Sequence, residues 1–162
     1  MTDNTKTYIS ILIDTLRKKE SILKALQEAT NHQAELLDGQ ELDIDAFNET
    51  VSTKDELLKN LSGLDEGFLE IYAKVGEQLK ANPGAYEEQV KTAQELVRKQ
   101  TVLSTELTAS EERNKTKLAL RLSSGKQKIK DFKVNSSVAT AYYKNMSGKH
   151  QDGDSYFFNR KK

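Results

Sequence analysis

Three long stretches of this chain place an apolar residue at every third and fourth position, and that rhythm leaves little room for any fold but a bundle of helices. The first stretch reads Ile9, Leu12, Leu16, Lys19, Leu23, Leu26, Thr30, Gln33, Leu37, with Ile13, Ile22, Ala29 and Leu36 widening the stripe. A 3-4 alternation lays these side chains along one face of an α-helix. A mean spacing of about 3.5, held over about four heptads, matches a coiled-coil-like seam and not a strand. The second stretch repeats it through Phe47, Val51, Lys54, Leu58, Leu61, Asp65, Phe68, Tyr72, Val75 and Leu79. The third runs Tyr86, Val90, Ala93, Leu96, Val97, Gln100, Leu103 and Leu107. It then fades through T-A-S-E-E-R-N-K-T-K and returns at Leu118, Leu120, Leu122, Ile129 and Phe132. Polar Lys19, Thr30 and Gln33 inside the first seam are expected to set register more than strength.

The punctuation between stretches fixes the ends. Asp38-Gly39 closes the first helix, because glycine readily takes the left-handed conformation that ends helices. Asp43 is placed to cap a second helix. Asn82-Pro83-Gly84 marks the next boundary, with Asn82 as cap and Pro83 in the first turn, where its missing N–H costs nothing. Glu87 and Glu88 then sit favourably against the helix dipole. Helices are therefore expected at about 4–37, 43–81 and 83–132, each about 50 to 65 Å long. Short links make sequential neighbours antiparallel. The expected fold is all-α: an elongated up-down-up bundle of three long antiparallel helices (residues 1–132), followed by a helical or extended C-terminal tail (133–162). Gly63 and Gly67 disturb the second helix, each costing about 1 kcal/mol against alanine. They predict either a bend or break there or the close packing of another helix.

Composition enters through what it excludes. With 31% charged and 36% hydrophobic residues, the chain suits thin helices with one apolar stripe each. No apolar run reaches the roughly 18 residues of a membrane span, and M-T-D-N-T-K-T does not read as a signal peptide, so a cytoplasmic protein is expected. The absence of cysteine removes disulfides, thiolate zinc sites and thiol nucleophiles. His32 has no histidine partner on a facing helix for a di-iron site. D-G-Q-E-L-D-I-D at 38–45 lacks the spacing of a calcium loop, and no phosphate-binding or nucleophile-elbow motif occurs. No enzyme activity, cofactor or metal is expected.

The net charge of zero conceals two opposite halves. Residues 1–112 carry 12 Lys and Arg against 22 Asp and Glu, and residues 113–162 carry 13 against 3. The basic end either pairs with the acidic bundle or meets an acidic partner or nucleic acid. Arg113 to Lys133 is basic enough to contact phosphates, but the chain has no nucleic-acid reader motif and its acidic bundle repels a polyanion.

The tail differs in kind. Five of the chain's 11 aromatic residues, Tyr142, Tyr143, Tyr156, Phe157 and Phe158, lie in it among Lys, Gly, Ser and Asn. V-A-T-A-Y-Y-K-N-M (138–146) can form two helical turns that put Val138, Ala141 and Tyr142 on one side, with Tyr143 and Met146 adjoining. Such a cluster either folds back to complete the core or docks a partner helix or strand. Tyr, Phe and Met suit the second role, being residues that anchor interfaces.

The start Y-I-S-I-L-I-D-T-L-R-K-K-E-S-I-L (8–23), K-D-E-L-L-K-N-L (54–61), E-E-R-N-K (111–115), S-V-A-T-A-Y-Y-K-N-M (137–146) and S-Y-F-F (155–158) together resemble the FlgN-type flagellar export chaperones in their Gram-positive form. That resemblance implies a cytosolic chaperone of flagellar type III export. Such a chaperone binds the hook–filament junction proteins FlgK and FlgL, prevents their premature assembly and delivers them to the export machinery, without ATP or a cofactor. It implies that Val138, Ala141, Tyr142, Tyr143 and Met146 form a cargo-binding amphipathic helix. Tyr156, Phe157 and Phe158 are added on their chemistry alone. The competing expectation is a generic coiled-coil adaptor or structural dimer, which forms a concentration-dependent oligomer through its helix seams; a helical nucleic-acid binder ranks below it.

Overall fold

The computed structural model describes residues 4–123, nearly all of them in three helices: α1 (Thr5–Asp38), α2 (Ile44–Ala81) and α3 (Glu87–Ser123). They form the expected up-down-up bundle, and among the described residues there is no strand. At 34 to 38 residues each, the helices are about 50 to 57 Å long. The backbone of α1 runs close to both α2 and α3, whereas α2 and α3 meet chiefly through side chains. The first seam is therefore the one about which the bundle is built.

Each helix is buried along its 3-4 stripe. Near the α2–α3 turn, Ile9, Leu12, Ile13 and Leu16 pack with Phe68, Tyr72, Val75, Leu79, Val90, Ala93, Leu96 and Val97. Midway, five leucines meet: Leu23 and Leu26 of α1, Leu58 and Leu61 of α2, and Leu107 of α3. At the α1–α2 corner, Leu37, Leu42 and Phe47 pack together with Leu118 against them.

The links obey local chemistry at one end and depart from it at two others. Asp43 caps α2, its Oδ1 accepting from the Ala46 amide at 3.1 Å. Asp43→Ala is expected to cost about 1 kcal/mol, seen as a lower urea midpoint at unchanged slope. Gly39 ends α1, but in extended backbone (φ −68°, ψ 160°) and not in the left-handed region. That conformation turns its carbonyl outward, where a side chain of α3 reaches it. The third helix begins at Glu87 and not at Pro83, because residues 83–86 form a turn in which the Ala85 amide bonds back to the Asn82 carbonyl at 3.1 Å. Gly84, a poor helix former, delays propagation by one turn.

Gly63 and Gly67 neither break α2 nor serve the close packing of another helix. Helix α2 runs unbroken through both, and an added Cβ at either position meets nothing within 4 Å. They lie on the outer face of the bundle.

Candidate functional site

The bundle's polar seam residues, scattered in the sequence, pair off into two layers that divide the apolar core. In the first, Lys19 of α1 meets Asp65 of α2 at 2.7 Å. In the second, the Lys54 ammonium lies 2.5 Å from Glu111 of α3 and donates to Gln33 of α1 at 2.9 Å. Both side chains of the Lys54–Glu111 pair are only 9% exposed. Burial pushes the Lys54 ammonium below its ordinary pKa of 10.5, and the Glu111 charge and hydrogen bond oppose that shift.

A second set of polar groups joins α3 to α1 in parallel. Gln100 donates to the Leu16 carbonyl at 2.6 Å, Asn114 to the Thr30 carbonyl at 2.9 Å, and Arg121 to the Leu37 carbonyl at 3.0 Å. In each case the donor lies 84 residues beyond its acceptor. Leu107 occupies the same heptad position, opposite Leu23, and is fully buried. The Thr30 carbonyl can accept from Asn114 because it keeps a free lone pair within its own helix.

Arg121 completes the end of α1. Besides Leu37 it donates to the carbonyls of Gly39 and Gln40, groups that the end of a helix leaves without an intrahelical donor. Lys117 adds an ion pair to Asp38 at 2.9 Å. Positive charge at a helix C-terminus is favourable twice over, by hydrogen bonding and by the dipole. The last described turn of α3 is thus fastened to the α1–α2 corner, and the rest of the chain continues from that point.

His32 is exposed with Glu35 at 4.0 Å, and among the described residues no cluster of His, Cys, Asp or Glu is arranged to hold a metal ion. Among them, too, no helix is long and apolar enough to cross a membrane. Among the described residues the large apolar side chains left exposed are Ile11, Leu69, Val102 and Leu120. The buried apolar seam residues of all three described helices pack against one another within one chain.

The candidate partner-binding residues Val138, Ala141, Tyr142, Tyr143, Met146, Tyr156, Phe157 and Phe158 all lie outside the described residues. The comparison with protein families reaches most of them, for the FlgN protein family model matches residues 1–148. The chain belongs to the FlgN family. That membership carries a general role as a flagellar export chaperone and as a binder of flagellar proteins. No curated protein and no solved structure matches the chain.

Within this FlgN bundle the third seam, whose apolar signal fades beyond Leu107 and returns at Leu118, keeps its step through the gap. Continuing the 3-4 step lands on Glu111, Asn114, Leu118 and Arg121, three of them polar and all engaged with other helices. The rhythm had not stopped; only its hydrophobicity had. The usable signal was the step itself, kept in register across polar residues.

Proposed function

We propose that this FlgN family member is a cytoplasmic, non-enzymatic export chaperone that holds FlgK- and FlgL-like hook–filament junction proteins through its C-terminal region and keeps them from assembling early. The observation that carries the reading is the family match, which runs past the bundle and takes in Val138, Ala141, Tyr142, Tyr143 and Met146. The physical mechanism is mutual masking. Cargo that polymerises through apolar terminal helices is kept apart when a chaperone covers them, and the burial favours the complex by about 25 cal/mol per Å² of apolar surface. Ordering a partner segment offsets part of that gain, which leaves an affinity low enough for later release. Tyr156, Phe157 and Phe158 extend the apolar surface on the grounds of residue type.

Truncation tests this. A chain lacking residues 134–162 is expected to keep the helical circular dichroism of the bundle and to lose calorimetric binding to a FlgK- or FlgL-like protein. Undiminished affinity would move the binding site onto the bundle. A collapse of helicity would instead make the tail a part of the core.

A further inference from the structure

We propose that the outer cleft between α1 and α2 receives this chain's own C-terminal segment, with residues 138–146 laid along it as a short fourth helix. The cleft thereby covers Val138, Ala141 and Tyr142 until a binding partner displaces them. The docking stands on the bundle alone; the displacement rests on the partner-binding role above.

Beside their buried seams, α1 and α2 each carry a second stripe that the three-helix core covers only in part. On α1 it passes through Ile11, Ile22 and Leu36, and on α2 through Leu57, Leu64 and Ile71, all at whole three- and four-residue steps. Ile11 is 40% exposed, and the other five are half-buried. The two stripes lie side by side. The Lys74 ammonium of α2 stands 5.4 Å over the Tyr8 ring of α1, Tyr8 and Ile71 pack on one core cluster, and Ile22 and Leu57 pack on another. Helix α3 is not on this side, since α1 meets it along the opposite flank, through Gln27 to Ser110 and Asp38 to Lys117. Half-buried Ala25 and Ala29 continue the α1 stripe between Ile22 and Leu36. Small side chains there leave room for the rings of a helix packed into the groove of two others.

Charge, length and attachment select the occupant. Exposed Glu28 and Glu35 of α1 and Glu49, Glu56 and Glu70 of α2 stand beside the cleft, against Lys18 and Lys74 within it. Arg17, Lys24 and Lys59 are already paired to acids of their own helices. The chain beyond Ser123 carries 9 Lys and Arg against 3 Asp. It is thus the oppositely charged segment, and its covalent attachment holds it at high effective concentration. It leaves α3 at the α1–α2 corner, where Arg121 holds the Leu37 carbonyl and Lys117 holds Asp38. Leu36 opens the cleft at that same corner. Residues 124–137 reach up to about 46 Å when extended, enough to round two helix widths of about 10 Å and continue to the middle of the cleft. Val138, Ala141 and Tyr142 then meet the aliphatic stripes, while the lysines around them meet the glutamate rim.

The chain has no cysteine, so crosslinking of engineered pairs in the full chain reads the contact directly. Asn60 lies on the α2 stripe between Leu57 and Leu64, and Thr105 lies on a face of α3 away from the cleft. Each is six residues from the Lys54–Glu111 pair, which puts them at one level of the bundle. A short bismaleimide is expected to join N60C to N145C within one chain at least about tenfold faster than T105C to N145C. Reversing the rim with E56K/E70K, at exposed positions that leave the helical circular dichroism unchanged, is expected to slow the first reaction by about threefold or more. Equal rates at the two positions, or a rate indifferent to E56K/E70K, overturn the docking. Joining only between copies makes the cleft a dimer interface, and no joining at either position leaves it to another protein; both results overturn the docking as well. Adding a FlgK- or FlgL-like protein that binds by calorimetry is expected to slow the N60C–N145C reaction, and an unchanged rate with that protein bound overturns the displacement. A FlgK- or FlgL-like protein that does not bind removes the proposed function and the displacement with it, and the docking readouts stand.

Discussion

Replacing Glu111 with leucine is expected to lower stability by about 3 to 5 kcal/mol, because it leaves the Lys54 ammonium buried without its counter-charge. At the size of this bundle, such a loss lowers the melting temperature by about 10 °C or more. The cost comes from desolvation and not from the lost attraction alone. The double variant K54M/E111L, which removes both charges and fills the space with apolar groups, is therefore expected to unfold at or above the wild-type temperature. Gln33, whose Oε1 accepts from Lys54, loses that donor in the double variant, which sets a limit on the gain.

The pH dependence carries a definite sign. The folded pKa of Lys54 lies below its ordinary value of 10.5, chiefly through burial, so between the two values the unfolded chain binds more protons than the folded one. Stability contributed by this site consequently rises with pH across that window and is lost again as pH falls through the folded pKa. In the wild type Glu111 narrows the window by favouring the charged form. In E111L that opposition is gone, and the rise is expected to begin at lower pH and to be larger. Urea unfolding of both proteins from pH 7 to 10 measures the difference. A flat profile for E111L would mean that water reaches the ammonium.

Phe68 and Leu69 supply the second large effect, as a contrast between neighbours. Phe68 is 1% exposed, its ring lies parallel to that of Tyr72 at 6.4 Å, and it belongs to the largest apolar cluster. Phe68→Ala is expected to cost about 3 to 5 kcal/mol, the transfer of a buried ring plus the cavity it leaves. Leu69, one residue on and 39% exposed, is expected to tolerate alanine within about 0.5 kcal/mol. Denaturant unfolding of the two variants side by side tests whether α2 faces the core as described. Comparable losses at both positions would mean that the outer face of α2 is covered in solution.

Not every expectation drawn from local chemistry survived contact with the fold. The cap at Asp43 held because an N-cap depends on an oxygen and an amide three residues apart, a distance fixed by the helix itself. The proline start at residue 83 did not, since Gly84 and the turn geometry of 83–86 competed successfully with a helix-compatible Pro83. Gly39 was expected to need a positive φ, yet it ends α1 in extended backbone that presents its carbonyl to Arg121. That donor comes from 82 residues away, and no local rule could supply it.

Periodicity determined three helices, their buried stripes and their up-down-up order, because a 3-4 repeat and short links admit almost no other arrangement. It could not determine how α3 lies along α1. Sliding one seam past another by seven residues restores every apolar position, so a heptad pattern is blind to that shift. The polar residues remove the ambiguity. Lys54 finds Glu111, and Arg121 finds the carbonyls at the end of α1, in a single register, and a slide by one heptad parts both. Such matching depends on groups some 50 to 84 residues apart meeting within hydrogen-bond distance. Only the folded chain brings them together.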